Sequence, residues 1–274
     1  MKKILIMTDM EGVAGVLNHD DWVVPSGRYY MQGRRFLTSE VNAAVDGLFA
    51  GKADEVVVVD GHGYGGIDPE LLDERAQLLR GAPMPAWPWS LAGSFSGVAF
   101  VGQHAKAGTP LSHITHTQWF DHIDMSINGV SIGEYGQLAL CAMELGVPMI
   151  LACGEQALAD EAAALTPGAI TVAGKRGLLP DGLEQLDAEA YRAAKLSAVH
   201  RAPGLVCRMI RKGAVQAMTK LRNTPKAFHY PVIKPPFTRA VRLRANGNKP
   251  AWTARDTHPS SIIALMNMGY SPVK

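Results

Sequence analysis

Apolar residues are concentrated in short continuous runs that recur along the first half of the chain. The runs lie in residues 3–9, 55–63, 98–108 and 147–154, and each is followed by polar residues or glycine. A strand that is apolar on both faces is typical of the interior of a parallel sheet. The four runs therefore predict four strands of one mostly parallel sheet.

Segments with a helical apolar period lie between these runs. Residues 39–51 and 133–146 place their apolar side chains on one side of a helix and end at glycine. Within residues 124–134, the dipeptide Asn128-Gly129 favours a two-residue hairpin turn, so we expect an antiparallel excursion there. Strands that alternate with helices predict an α/β fold, with a mostly parallel central sheet flanked by helices.

The second half of the chain is less regular. Residues 187–202 and 204–221 have helical spacing, and residues 238–245 alternate like a strand. These patterns predict a second, smaller α+β lobe over residues 156–274, which follows an α/β core of residues 1–155. No shift in composition marks the boundary, so one continuous domain is the open alternative.

Composition and charge exclude several classes of partner. The chain has 274 residues, is 47% hydrophobic and carries a net charge of +2, which creates no strong field for nucleic acid or a membrane surface. The apolar run that follows the opening MKK breaks at Thr8-Asp9, too early for a signal peptide, and the sequence has no run long enough to span a membrane. Cys141, Cys153 and Cys207 form no C-x-x-C motif. We therefore expect a cytoplasmic protein with reduced thiols and with no nucleic-acid or membrane partner.

Acidic and histidine side chains collect where the predicted strands and the hairpin end. They are Asp9, Glu11, His62, His104 and Glu134. Ligands of an open α/β sheet bind outside the carboxyl ends of its strands, so these side chains converge if the strands are neighbours. Ionised carboxylates that share a half-buried cleft lose hydration and repel one another, at a cost of several kcal/mol unless a counter-charge is present.

A divalent cation supplies that counter-charge. Mixed imidazole and carboxylate donors suit Zn²⁺, with Mn²⁺, Fe²⁺ or Co²⁺ as alternatives, whereas Mg²⁺ and Ca²⁺ prefer oxygen ligands. Five donors exceed the four positions of one tetrahedral Zn²⁺. The sequence therefore predicts two metal ions that share a carboxylate.

Each of the five residues also has an ordinary structural interpretation. Asp9 and Glu11 suit a helix cap or a backbone nest, His62 suits a tight turn, and His104 suits a hydrogen-bonded core histidine. Glu134 suits the first turn of a helix, where the dipole favours an acid. The metal hypothesis depends on the joint pattern, because the donors come from several separate segments.

A further group of histidines lies in the segment LSHITHTQWFDH, which contains His113, His116 and His122. Such a segment can supply a ligand pair, a general base or a nucleophile. A polar surface loop is the alternative.

Six motifs occur in order within residues 3–155, namely TDMEGVAGV, EVNAAVDG, VVVVDGHG, VGQHAKAGT, HIDMSINGVSIGEYG and GVPMILACGE. In order and spacing they resemble the D-aminopeptidase family of binuclear zinc metallopeptidases, the type encoded with dipeptide-transport operons. The resemblance implies a metal-dependent aminopeptidase that hydrolyses the amino-terminal peptide bond of short peptides. The chirality and side chain that it prefers stay open.

The resemblance also implies roles for individual residues. The positions of the metal ligands, which hold two Zn²⁺ ions per subunit, fall on Asp9, Glu11, His62, His104 and Glu134. The catalytic histidine falls in the dipeptide His116-Thr117, as nucleophile or as general base, with His113 as its competitor. The resemblance further implies a homodecamer whose active sites face an internal channel.

The chain departs from the family pattern at three places. Residues 102–104 read Gly-Gln-His instead of Gly-Tyr-His, residues 153–155 read Cys-Gly-Glu instead of Ser-Gly-Asp, and residues 82–93 differ from the usual methionine-rich segment. These departures leave the metal positions in place and the substrate open. The alternatives are a hydrolase of another amide, a phosphohydrolase (an Asp-x-Asp pair after a first strand is the mark of one class) and a metal-binding module without turnover.

Overall fold

The computed structural model describes residues 1–81 and 86–273. The first four residues of segment 82–93, which departs from the methionine-rich segment of the family, lie outside the described part. Its strands are β1 (Lys3–Thr8), β2 (Glu55–Asp60), β3 (Ala76–Arg80), β4 (Gly97–Gln103), β5 (His122–Ile127), β6 (Val130–Ser131), β7 (Met149–Glu155), β8 (Ile170–Gly177), β9 (Ala198–His200), β10 (Phe237–Leu243) and β11 (Trp252–His258). Its helices are α1 (His19–Trp22), α2 (Tyr30–Ala50), α3 (Glu134–Glu144), α4 (Gln156–Leu165), α5 (Ala188–Ala194), α6 (Pro203–Asn223) and α7 (Ile262–Met266), with a short 3₁₀ turn at Pro225–Ala227.

The large sheet has the strand order β3-β2-β1-β4-β7-β8-β9, and every neighbouring pair is parallel except β8 with β9. The four strands predicted from the apolar runs are neighbours in the sheet, in the order β2-β1-β4-β7. Strand β1 therefore lies between β2 and β4. Each is buried over nearly its whole length. The α/β fold with a mostly parallel sheet is thus confirmed.

Alternate residues of β1 face two different cores, as the period of a strand requires. Ile4 and Ile6 belong to a core that also contains residues of α2 and α6. Leu5 and Met7 belong to a second core, which contains residues of α3, α7 and β10. The sheet is therefore covered on both faces, which explains why its central strands tolerate no polar face.

A smaller antiparallel sheet has the order β11-β10-β5-β6 and forms a separate, smaller lobe, as the fold class predicted. The turn between β5 and β6 is the predicted hairpin. Asn128 and Gly129 have φ values of 49° and 83°, the left-handed conformation that a tight hairpin turn needs.

The division of the chain near residue 155 stays a prediction. Strands β8 and β9, which follow that position, belong to the large sheet, while β5 and β6, which precede it, pair within the small sheet. Within the described residues, no helix is both long and apolar enough to cross a membrane.

The predicted helix over residues 187–202 is wrong in its second half. The helix begins as expected, with the Asp187 side chain accepting from the Ala190 backbone N–H, but α5 ends at Ala194. Residues Ala198–His200 form β9, because their backbone groups pair with the open edge of β8. This tertiary pairing outweighs the helical spacing of the segment.

Candidate metal centre

Three neighbouring parallel strands deliver the predicted donors to one edge of the large sheet. Asp9 follows β1, His62 follows β2 and His104 follows β4. Glu11 lies in the turn after β1, and Glu134 is the first residue of α3. Because β1 lies between β2 and β4, the carboxyl ends of all three strands meet at this edge.

The turn that carries Asp9 and Glu11 is tied to the end of β4. The backbone N–H of Asp9 donates to the carbonyl of Val101 at 3.0 Å, and that of Gly12 donates to the carbonyl of Gly102 at 2.8 Å. A Cβ atom on Gly12 would lie 2.0 Å from the carbonyl oxygen of Gln103. Only glycine permits this close approach, so it fixes where the two acids point.

The donors form two triads that meet at one carboxylate. In each triad the ligand atoms lie within 4.8 Å of one another, and the two sets are Asp9, Glu11, His62 and His104, His116, Glu134. We call these six residues the strand-end cluster. Asp9 joins its halves, because Oδ1 lies 3.1 Å from His62 Nδ1 and Oδ2 lies 3.2 Å from His104 Nε2. The structure thus brings together the five predicted ligands and His116.

The hydrogen bonds of three imidazoles fix which ring nitrogen faces the carboxylates. His62 Nε2–H donates to the carbonyl of Val23 at 2.7 Å, and His104 Nδ1–H donates to that of Ala105 at 2.8 Å. His116 Nδ1–H donates to the carbonyl of Ile114 at 3.0 Å. A carbonyl can only accept, so in the neutral form of each ring the opposite nitrogen presents a lone pair to the cluster.

Lone pairs on nitrogen and on carboxylate oxygen repel unless a proton or a metal ion lies between them. Asp9 Oδ2, Glu11 Oε2 and His104 Nε2 are buried, and within the described ranges none of the three has a hydrogen-bond partner. Although His104 Nε2 and Asp9 Oδ2 are close, they are not aligned for a hydrogen bond. Such orphaned donor atoms fit a cation, and the mix of imidazole and carboxylate fits zinc.

The pKa values report the same demand for positive charge. Burial opposes charge on His104, but Asp9 and Glu134 outweigh it and raise the pKa of His104 to about 10. Burial likewise opposes charge on His62, but Glu11 and Asp9 raise its pKa well above the usual value. Burial would raise the pKa of Asp9, yet the two imidazoles hold it below its usual range.

His116 differs from these two histidines. Burial, and then the neighbouring His104 ring at a centroid distance of 4.1 Å, lower the pKa of His116. Its Nε2 lies 3.8 Å from Glu134 Oε1. The ring is therefore a neutral imidazole whose free lone pair faces the second triad.

The other two histidines of the segment lie elsewhere. His113 is buried with Nε2 3.2 Å from the carbonyl of Leu17, and burial, followed by Lys175, lowers the pKa of His113 to about 2. His122 contacts Asp121 and Tyr270 in the small lobe.

A cavity of about 440 Å³ opens over the strand-end cluster. Its walls are mostly aromatic or apolar and include Met7, Tyr64, Trp87, Trp89, Phe100, Trp119 and Leu138. Sequence reasoning missed these wall residues. Trp119 alone had a local signal, since it follows His116 in the segment HTQWF.

Comparisons with known proteins bear on the family and on the fold of the chain. The sequence model of the D-aminopeptidase family matches residues 1–252. The D-aminopeptidase of Bacillus subtilis (strain 168) is 34% identical over 177 residues, which are 64% of this chain and 64% of that protein, so the alignment spans less than two thirds of the relative. The solved structure of the zinc-dependent D-aminopeptidase DppA from Bacillus subtilis, a self-compartmentalizing protease, superposes with a TM-score of 0.79 at 22% identity. That superposition covers 97% of this chain and 94% of the other, and it shows a common fold.

Proposed function

Because the chain belongs to the D-aminopeptidase family, we propose that it is a metal-dependent aminopeptidase. Its substrates are short peptides whose amino-terminal peptide bond it hydrolyses, with a D-residue at the first position. One observation carries the proposal. The inner nitrogens of His62 and His104, oriented by backbone carbonyls on the far side of each ring, face the buried oxygens Glu11 Oε2 and Asp9 Oδ2, which have no hydrogen-bond partner among the described residues.

We assign two zinc ions to the strand-end cluster. Asp9, Glu11 and His62 would hold one ion, and His104 and Glu134 would hold the other, with Asp9 shared between them. When bound, two such ions supply a Lewis acid for the scissile carbonyl and lower the pKa of water. Mn²⁺ and Co²⁺ suit the same donors and are the alternatives to Zn²⁺.

We assign the catalytic role to His116. The bond from Nδ1 to the carbonyl of Ile114 fixes its ring and tautomer, which leaves Nε2 to accept a proton or to attack a carbonyl. Its lowered pKa keeps it neutral, as either role requires. Phe120, whose ring centroid lies 4.4 Å from that of His116, packs against this ring.

We further propose that the chain works as a homo-oligomer in the cytoplasm. The solved relative is described as a self-compartmentalizing protease, which supports a ring assembly with enclosed sites, and a homodecamer is the size we propose. Free Cys141, Cys153 and Cys207 are compatible with a reducing compartment.

Zinc content and peptide hydrolysis, measured on the same preparations, test the function. We expect about two zinc ions per subunit in the parent protein, fewer in Glu11→Gln, and hydrolysis of D-peptides that falls with the zinc. The matched control is Glu70→Gln, an exposed acid in a turn that is not part of the strand-end cluster. A generic phosphate ester serves as the rival substrate.

Two outcomes would overturn the proposal. One is a zinc-loaded parent that cleaves the phosphate ester and no peptide. The other is a Glu11→Gln protein with the parent's zinc content and the parent's rate on peptides.

A further inference from the structure

A second cavity, of about 210 Å³, adjoins the cavity over the strand-end cluster. The two cavities share Trp87 and Gln118 as wall residues. Gln137 and Arg239 contribute buried polar side chains to the smaller cavity, and its other walls come from the end of α7 and the loop after it. A ligand that extends from the cluster past Gln118 therefore enters this second space.

The buried polar atoms without partners in its walls are hydrogen-bond donors. Gln137 is 1% exposed; its Oε1 accepts from Gln118 Nε2 at 3.0 Å, while its Nε2 has no partner among the described residues. Arg239 Nε is also buried without a partner there. The Nη2 atom of Arg239, in contrast, is satisfied, because it donates to Asp256 Oδ2 and to the carbonyls of Met268 and Gly269.

This imbalance selects the chemistry of the ligand. Surplus N–H groups need oxygen acceptors, so an ammonium group, which brings only donors, does not fit beside a guanidinium. A carboxylate supplies two oxygens with about four acceptor positions. Asp256 balances the charge of Arg239 at 2.7 Å, so binding would depend on these hydrogen bonds more than on net charge.

Helix α3 sets the distance between the two sites. Gln137 comes three residues after Glu134, so the two side chains lie on the same face of the helix, about 5–6 Å apart at Cβ. The backbone N–H of Gln118 also donates to Glu134 Oε1 at 2.8 Å. One extended residue spans about 3.3–3.6 Å, so only one or two residues fit between the metals and this cavity.

We propose that the cavity lined by Gln118, Gln137 and Arg239 binds the carboxyl-terminal carboxylate of a di- or tripeptide. The proposal rests on the proposed function, since it assumes that the scissile bond lies at the strand-end cluster. The enzyme would then recognise the carboxyl terminus of its substrate as well as the amino-terminal peptide bond that it cleaves. The distance between the two sites would set the maximum length of the peptide.

The test compares one dipeptide of two D-alanines as the free acid and as its carboxyl-terminal amide, using the full-length zinc-loaded protein. We expect the parent to prefer the free acid by about tenfold or more in kcat/KM, because hydrogen bonds to a charged acceptor are the stronger ones. Gln137→Met removes the donors, and Gln137→Glu replaces them with a negative charge. Both should reduce kcat/KM for the acid more than for the amide, and Gln137→Glu should reverse the preference.

Gln216→Met and Gln216→Glu, at an exposed residue of α6, are the matched controls. They should leave the ratio of kcat/KM for the acid to kcat/KM for the amide at the parent value. Equal kcat/KM for acid and amide in the parent would overturn the subsite while leaving the peptidase intact. Hydrolysis of neither peptide would instead overturn the proposed function. If Gln137→Met does not fold, as judged by its melting curve, the subsite is still tested by the ratio of kcat/KM for acid and amide in Gln118→Met and in the parent.

Discussion

The chain buries charged side chains on both sides of the turn after β1, and the two groups satisfy their charges in different ways. On one side lies the strand-end cluster. On the other lies what we call the lysine cluster, formed by Lys175, Glu40 and Glu155. All three of its members are buried.

Backbone groups satisfy most of the lysine cluster. Glu155 accepts from the backbone N–H groups of Ala105 and His113, at 2.9 and 2.6 Å. Glu40 accepts from that of Ala14 at 3.1 Å, and Lys175 Nζ donates to the carbonyls of Glu11 and Val16. Lysine and glutamate there provide charges of both signs within the chain itself.

The strand-end cluster lacks such internal compensation. Backbone groups satisfy the outer nitrogens of the imidazoles, one oxygen of Asp9 and one of Glu134, but Asp9 Oδ2, Glu11 Oε2 and His104 Nε2 are left without a partner among the described residues. The difference teaches how to separate a structural from a functional group of buried charges. In the first, a single oxygen, Glu40 Oε2, is left without a partner among the described residues. In the second, three side chains leave inward-facing atoms unpartnered, and a cation satisfies all of them together.

Removal of the shared carboxylate should produce the largest effect. Asp9→Ala leaves both triads without their common donor, so we expect loss of zinc and a fall in kcat/KM of roughly 10⁴-fold or more. Elemental analysis and peptide hydrolysis measure both. A variant that keeps two zinc ions would show that Asp9 does not join the triads.

Replacement of His116 should reduce turnover while leaving the metals bound. We expect His116→Ala to lower kcat by about 10²–10⁴-fold, the usual contribution of a general base, with zinc content near that of the parent. His113→Ala is the comparison, because that ring contacts Leu17 outside the cluster. A larger loss of kcat in His113→Ala than in His116→Ala, at equal zinc content and equal melting temperature, would transfer the role to His113.

The contrast between the two clusters also explains what the sequence could predict. The central strands and the donors at their ends were predictable, because a strand buried on both faces allows polar residues only where it stops. The lysine cluster was not, since β8 reads ITVAGKRG and mixes polar with apolar positions. Edge strands such as β3 are half exposed, so their pattern is weak.

The choice between His113 and His116 shows another limit. Residues 113–118 follow no helical or strand period, because Ile114 and Gln118 both have left-handed backbone, with φ values of 55° and 61°. Alternation then gives no information about which side chain points inward. The resemblance to the family, and not the spacing, favoured His116. The donor-lined cavity at Gln137 had no sequence signal, since a glutamine inside a helix is ordinary.

Substitution of the lysine should affect stability more than chemistry. Lys175→Met leaves the buried Glu155 without the nearby positive charge and removes the donor to the carbonyls of Glu11 and Val16, so we expect the free energy of unfolding to fall by about 3 kcal/mol or more. Urea unfolding measures this, with Lys212→Met on the exposed face of α6 as control. Zinc content should stay near that of the parent in the fraction that folds. Loss of zinc without loss of stability would mean that Lys175 belongs functionally to the strand-end cluster.

The smallest effect should come from a change of pH. It tests whether Glu40 in the lysine cluster gains or loses its proton near neutral pH. Burial raises the pKa of Glu40 from 4.5 to about 7, so the folded protein holds this proton more tightly than the unfolded chain does. The contribution of Glu40 to stability is then complete below pH 4.5 and is lost as the pH rises through 7. We expect Glu40→Gln, which keeps an acceptor for the Ala14 N–H but cannot ionise, to be less sensitive than the parent between pH 5 and 7.5 by about 1–2 kcal/mol in unfolding free energy. Equal pH slopes for parent and variant would show that Glu40 stays ionised through this range, balanced by Lys175, and the two clusters would then differ in their counter-ion alone.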